Sequence, residues 1–242
     1  MSKKIEICAI IPARSGSKQI KDKNILKFNG KPSLYYSIKA SFKSSLISKV
    51  LFSSDSKKYL NIAKKYKPDF LHLRSKKNSR SNSTDLDFLK EIYHYLDDKY
   101  NYRPDVFALL RANNPTKSLR DINSAINAFS KNFKKYSSLR SVNLMSETSY
   151  KTFYTKKNAL FGVMTNSSKV DNLNLPKEKF RNTYSGNGCI DLIKTNNIKN
   201  GILHGNKCYA YVTQDVCVDI DYKNDVDYAK FILKNKKKNY IK

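Results

Sequence analysis

The strongest constraint on the fold is an alternation between two hydrophobic periods through the first half of the chain. Ile5 to Ile11 is a continuous apolar strand. Leu34, Ile38 and Phe42 then recur at helical spacing. Val50 to Ser53 reads as a second strand, followed by a helix over Lys57 to Tyr66, and Asp69 to Leu73 as a short third. Leu86, Leu89, Ile92, Tyr93 and Leu96 share one helical face, Val106 to Leu110 is a fourth strand, and Ile122, Ala125, Ile126 and Phe129 mark a further helix. Strands joined through helices by short connections predict an α/β chain with a mostly parallel central sheet covered by helices.

The pattern weakens from about Ser146 to Arg181, where polar residues and isolated aromatics predict an excursion: a flap, a hairpin or an oligomer contact. The core resumes at Gly188 to Ile193 and Cys208 to Val212 and ends in a helix from about Asn224, with a lysine-rich tail read as a frayed helix end. The 242 residues fit a single domain, 1–242, with that excursion inside it. No apolar run approaches the roughly 20 residues of a membrane span, and the start does not resemble a signal peptide, so the expectation is a cytoplasmic protein without membrane insertion. The four cysteines, Cys8, Cys189, Cys208 and Cys217, lack paired spacing and read as free thiols in a reducing compartment. The net charge of +27 allows an anionic partner, but lysines occur in nearly every segment, as on a solvated surface. Position must therefore pick out the cations that do chemistry.

Two stretches stand out. In "IIPARSGSKQIKDKNI", residues 10–25, the first strand empties into small and cationic residues. That loop leaves the carboxyl end of a strand, the edge where open α/β sheets bind ligands. Ser15, Gly16 and Ser17 would let backbone N–H groups approach a polyphosphate, with Arg14, Lys18 and Lys23 as countercharge. An ordinary basic surface loop has the same composition, and the spacing matches neither the P-loop nor the dinucleotide fingerprint. The second stretch, "DVCVDIDYKNDVD", residues 215–227, holds five aspartates in a chain short of acids. If it is a strand, Asp219 and Asp221 share a face and need a cation between or beside them. Mg²⁺ suits such a pair, since it takes one or two carboxylates plus substrate phosphates. Alternatively, Asp221 and Asp225 cap the last helix.

Together these stretches resemble the CMP-sugar synthetases for acidic sugars, the acylneuraminate cytidylyltransferase family. Ala13, Arg14, Ser17, Lys18, Lys23 and Asn24 match its A-R-x-x-S-K-x-x-x-x-K-N loop. "NGKPSLYYSIKAS", "VLFSSDS", "LHLRS", "SGNGCIDLI" and "VDIDYKNDVD" follow in the family's order over nearly the whole chain. The resemblance implies a Rossmann-like nucleotidyltransferase fold that transfers CMP from CTP to a 2-keto-3-deoxy sugar acid of the nonulosonic class. It implies catalytic roles for Arg14, Lys23 and Asp221, and nucleotide contacts from Ala13, Arg14, Ser17, Lys18, Lys23, Asn24 and Arg74. Mg²⁺ would sit on Asp219 and Asp221, and a homodimer would form with the excursion reaching the partner. The same chemistry on 3-deoxy-manno-octulosonate is the alternative acceptor. A basic nucleic-acid-binding protein is a remote alternative, disfavoured by dispersed charge and the acidic stretch.

The departures fall on the acceptor side. "LLRANNPTKSLR" has three more residues between strand and Leu119-Arg120 than the family's Q-P-T-S-P-L-R, so Arg111 or Asn114 could replace its sugar-facing glutamine. Asp191 stands where a tyrosine is usual, either as a strand-end aspartate facing solvent or as a sugar contact. Lys151, Arg181, Tyr184 and Asn187 complete the sugar-side candidates.

Overall fold

The computed structural model describes residues 5–17, 19–235 and 240–241. Lys18, and the tail at 236–239 read as a frayed helix end, lie outside the described residues. The chain divides into two compact units, one of residues 1–141 with 187–242 and the other Val142–Gly186.

In the first unit, β1 (Ile7–Pro12) pairs in parallel with β4 (Lys49–Ser54) and with β6 (Val106–Leu109), and β4 pairs in parallel with β5 (Phe70–Leu73). A short hairpin of β2 (Lys27–Phe28) and β3 (Lys31–Pro32) follows the opening loop. β10 (Tyr184–Lys194) joins β6 antiparallel, and β7 (Ser138–Leu144) and β11 (Cys208–Val212) complete the order β11-β7-β10-β6-β1-β4-β5. Alternation along β1 divides the core into two layers. Ile7, Ala9 and Ile11 join a cluster with residues of α1 (Ser33–Lys43), α2 (Lys57–Lys64), α4 (Leu119–Lys131) and α6 (Lys223–Asn235). Cys8 and Ile10 face the other layer, with Phe88, Leu89, Ile92 and Leu96 of α3 (Asp85–Tyr100) and Ile198 of α5 (Thr195–Lys199). A sheet buried on both faces explains why its central strands read as continuous apolar runs.

Sequence periodicity misses β7. Its sequence, SLRSVNL, buries Ser138 and Ser141 with Leu139, and two serines leave little apolar signal. The alternating stretch around Asp219 is not a strand; it runs along the carboxyl edge of the sheet as irregular chain. Its backbone is held by the β6–α4 loop instead: Ile220 N–H donates to Asn113 O (3.1 Å) and Val218 N–H to Thr116 Oγ1 (2.8 Å). Loop-to-loop bonds of this kind leave no periodic trace.

The second unit is built around an exposed antiparallel hairpin of β8 (Phe153–Lys156) and β9 (Ala159–Gly162). Its Lys157-Asn158 turn has both residues at positive φ, as a two-residue hairpin turn requires. Among the described residues, no helix is long and apolar enough to cross a membrane.

Candidate active site

The opening loop begins where β1 loses its ladder at Pro12. Two polar anchors shape it. Ser15 donates its N–H to Asp55 Oδ1 (2.8 Å) and its hydroxyl to Asp55 Oδ2 (2.9 Å). Ala13, fully buried, donates its N–H to Ser53 O and accepts at its carbonyl from Ser54 Oγ (2.7 Å). A Cβ added at Gly16 would meet nothing within 4 Å, so the loop is open above its middle. Asn24 is turned inward, 5% exposed, and its side-chain amide donates to Arg14 O (2.8 Å). Arg14 donates through Nη1 to Arg80 O (2.8 Å), which ties it to the loop before α3. Ser17 closes a tight turn by donating its N–H to Ser15 O.

The two stretches singled out in the sequence meet here. Lys23 Nζ lies 2.6 Å from Asp221 Oδ1 across a separation of 198 residues. Asp225 caps α6 by accepting from the N–H groups of Asp221 (2.9 Å) and Tyr222 (2.6 Å). That leaves the Asp221 carboxylate, 47% exposed, for Lys23 and a ligand. Asp219 lies deeper. Its Oδ1 is buried and has no hydrogen-bond partner among the described residues. Burial, with the Asp221 charge, pushes its carboxyl above the usual range, against the pull of Lys117, Lys23 and Arg111.

A divalent cation is compatible with these residues. Asp219 offers an unpartnered oxygen and Asp221 a half-exposed one, while no group of three or more His, Cys, Asp or Glu gathers among the described residues. A donor set of two carboxylates suits Mg²⁺, which retains water and takes the rest of its shell from substrate phosphates.

Arg74 is 7% exposed, stacked over the Phe88 ring (4.2 Å), with Nε donating to Ser53 Oγ (3.4 Å). Ser53 Oγ also lies 3.0 Å from His72 Nδ1, and His72 Nε2 lies 3.3 Å from Glu91 Oε1. Burial lowers the Arg74 guanidinium to about 10, still cationic at neutral pH, while its Nη2 has no partner among the described residues.

Of the acceptor-side candidates, Arg111 remains at the end of β6. Burial opposes its charge, but Asp85, bonded to Nη2 at 2.5 Å, outweighs this and holds its pKa above the usual arginine value, with help from Asp191 and Asp219. The alternative Asn114 has no exposed surface: its amide donates to Cys217 Sγ (2.8 Å) and Asn187 O (3.4 Å). Asn187 is likewise turned in, 5% exposed, with Nδ2 donating to Thr213 and Oδ1 accepting from Cys189 N–H. Both are held as braces by these bonds. Asp191 does not face solvent: it sits mid-strand, 4% exposed, with Oδ1 unpartnered at hydrogen-bond distance among the described residues and Arg140 Nε 3.9 Å away. Burial raises its pKa. Lys151, Arg181 and Tyr184 belong to the second unit, where Lys151 ends a 3-10 turn and Tyr184 opens β10 half-exposed.

Sequence reasoning misses Lys117. It is wholly buried, donates to Gly188 O (3.2 Å), and burial lowers its pKa against the pull of Cys217, Cys189 and Asp219. Position immediately after Pro115-Thr116 gives no sign that a lysine turns inward. Asp55 is missed as an anchor too, although it ends the quoted S-S-D run. A cavity of 640 Å³ lined by Ile5, Ile7, Leu46, Ile126 and Phe133 lies at the opposite edge, by the amino end of β1, and shares no residue with this site.

Comparison with known proteins gives a consistent picture. A sequence model of the cytidylyltransferase family matches residues 8–172. The chain is 30% identical over 98% of its length to an N-acylneuraminate cytidylyltransferase of Escherichia coli O18:K1:H7, covering 54% of that protein. It is 46% identical over 86 residues to a Helicobacter pylori protein named pseudaminic acid cytidylyltransferase and UDP-2,4-diacetamido-2,4,6-trideoxy-beta-L-altropyranose hydrolase, covering 16% of it. The chain thus spans about half the length of the first of these relatives and less of the second. Among solved structures, CMP:2-keto-3-deoxy-manno-octonic acid synthetase complexed with CTP superposes with a TM-score of 0.70 at 12% identity, covering 96% of this chain and 99% of that one. A 4-diphosphocytidyl-2C-methyl-D-erythritol synthase from Anaerococcus prevotii gives 0.63 at 11% identity, covering 96% and 100%. At such identities these structures speak for the fold.

Proposed function

Because the chain belongs to the cytidylyltransferase family, we propose that it transfers CMP from CTP to a nonulosonic, sialic-acid-like sugar, releasing pyrophosphate. The observation that carries this reading is the Lys23–Asp221 contact, which joins a cationic loop to a carboxylate pair at one sheet edge. The anomeric hydroxyl attacks the α-phosphorus in line and gives its proton up to solvent; the bond from the α-phosphorus to the oxygen bridging to the β-phosphate breaks, and pyrophosphate leaves. Arg14 and Lys23 bind and neutralise the triphosphate, and the Ser15–Ser17 backbone orients it from its anchor on Asp55. Ser17, Lys18 and Asn24 belong to the same cradle, and Arg74 holds the cytidine side. Mg²⁺ on Asp219 and Asp221, when bound, supplies charge neutralisation at the reacting phosphates. Arg111, kept cationic by Asp85, receives the acceptor's carboxylate. Lys151, Arg181 and Tyr184 remain acceptor-side candidates.

Nonulosonic acid is preferred to octulosonate because relatives named for N-acylneuraminate and pseudaminic acid align in sequence, whereas the octonic acid synthetase shares the fold at 12% identity. We place the activity in the cytoplasm, with no nucleic acid as partner. A homodimer is supported by the hairpin unit, where Phe153, Tyr154, Leu160, Val163 and Met164 are exposed.

The test is pyrophosphate release from CTP and Mg²⁺ across a panel of nonulosonic acids and octulosonate. Release with a nonulosonic acid is expected, and Asp221→Ala should lower it by about 10²–10³-fold. Silence across the panel sinks the reading, and release with octulosonate alone moves it to the alternative acceptor.

A further inference from the structure

We propose that Tyr59 and Asp22 form a latch that positions Lys23, a role that rests on the triphosphate-binding reading above. Asp22 immediately precedes Lys23 and adopts a left-handed conformation, φ 58° and ψ 26°. Aspartate visits that conformation more readily than most residues with a Cβ, because its short side chain can hydrogen-bond, and such a bond fixes Asp22. Here the holding group is visible. The Tyr59 hydroxyl donates to Asp22 Oδ1 (2.7 Å), and Lys58 Nζ pairs with Oδ2 (3.0 Å). Tyr59 is 1% exposed, with its ring in the core beneath α2, so its hydroxyl is a fixed point. Lys58 is a solvent-exposed partner and adds little.

The geometry passes from the latch to the cation. Asp22 O accepts from Ile25 N–H (2.9 Å), which closes the 3-10 turn Lys23–Ile25. Asn24 is fastened on the other side to Arg14 O. Lys23 is therefore flanked by two residues whose side chains are tied down, one to α2 and one to the loop backbone. Its own side chain, 18% exposed, is left to span to Asp221. Without the Tyr59 hydroxyl, Asp22 keeps only the exposed Lys58 on its side chain and the Ile25 N–H on its carbonyl, and relaxation out of the left-handed region would swing the turn that carries Lys23. Tyr59 touches neither the acidic pair nor the open face of the loop in any bond described above, so it acts through Lys23 as a positioning residue.

Tyr59→Phe keeps the ring and removes the hydroxyl. Hydrogen exchange in the CTP-free protein reads the latch directly: the Ile25 amide should exchange faster, while β1 amides keep the wild-type rate. Unchanged exchange at Ile25, or an equal rise in β1, overturns the latch, the latter because the variant then acts on global stability. Kinetics read its consequence. The KM for CTP should rise about three- to tenfold, less than the full worth of a hydrogen bond to a charged group because the loss reaches CTP only through Lys23, with the acceptor KM unmoved. In a Lys23→Ala background the same substitution should add nothing to the CTP effect, and an undiminished second effect also overturns the proposal. Wild-type protein that fails to bind CTP, with the Ile25 difference intact, sinks the functional reading and leaves the latch standing.

Discussion

The two sides of the candidate site are built on opposite principles. On the loop side, cations lie near the surface and are aimed by small polar anchors: Ser15 on Asp55, Asn24 on Arg14 O, Lys23 on Asp221. On the other side, the β6–α4 loop, the Asn187-Gly188 turn and the Asp219 segment bury a lysine, three asparagines and two thiols. An exposed charge is cheap and can be re-aimed by a loop. A buried one must be neutralised and hydrogen-bonded, so it fixes its neighbours. The first side can grip a flexible polyphosphate, and the second keeps the carboxylate beneath it from moving.

If that contrast holds, the largest stability effect should come from the buried side. Lys117→Ala removes a side chain with no exposure, leaves Gly188 O without its donor, and takes a cation from beside Asp219. Cavity and uncompensated charge together should cost about 3–5 kcal/mol in urea unfolding. A change within about 0.5 kcal/mol, the range of ordinary surface substitutions, would erase the distinction between the two sides.

The pH dependence probes burial under the nucleotide side. Burial lowers the His72 imidazole to about 4, despite Glu91 nearby, and Arg74 adds to the lowering. Between pH 6.5 and 4 the unfolded chain takes up a proton that the folded chain refuses. The stabilisation is therefore complete above the unfolded pKa and is lost as pH falls through that window, by on the order of 3 kcal/mol. Burial favours protonation of Glu91, but hydrogen bonds from Ser75 and Asn78 outweigh it and hold its pKa low, so its contribution disappears at still lower pH. Urea midpoints followed from pH 7 to 5 should fall in the wild type and fall less steeply in His72→Asn, where His204, also lowered by burial, keeps a residual slope. Parallel slopes in the two proteins would show that another group carries the acid limb.

The same contrast explains what could be read in the sequence. The parallel sheet was legible because central strands buried on both faces are continuous apolar runs, and helices covering them repeat at 3.6. The approach of Lys23 to Asp221 was legible only through a motif, since no local periodicity links residues 198 apart. Burial of Asn114, Asn187, Asp191 and Lys117 was not legible: polar residues carry no hydrophobic signature, and each is inward because another loop accepts or donates to it, or faces its charge. The alternation around Asp219 allows a strand, but none forms there: the loop carrying Asn113 and Thr116 supplies its backbone bonds in place of a ladder.

Gly188 marks the point where the buried side touches the reacting groups, and substitution there separates backbone cost from contact. Gly188 has φ +63°, and a Cβ on it would lie 3.1 Å from Asp219 Oδ2 and 3.3 Å from Arg111 Cδ. Gly30 has φ +78° with nothing within 4 Å of the same added carbon. Both alanine variants should therefore lose about 1–2 kcal/mol to the left-handed backbone. Only Gly188→Ala should also push the Asp219 carboxylate and the Arg111 stem apart, lowering kcat/KM by about tenfold beyond the Gly30→Ala control. Equal kinetics in the two variants would mean that Asp219 and Arg111 tolerate displacement, and the rigidity assigned to the buried side would have no bearing on the reaction.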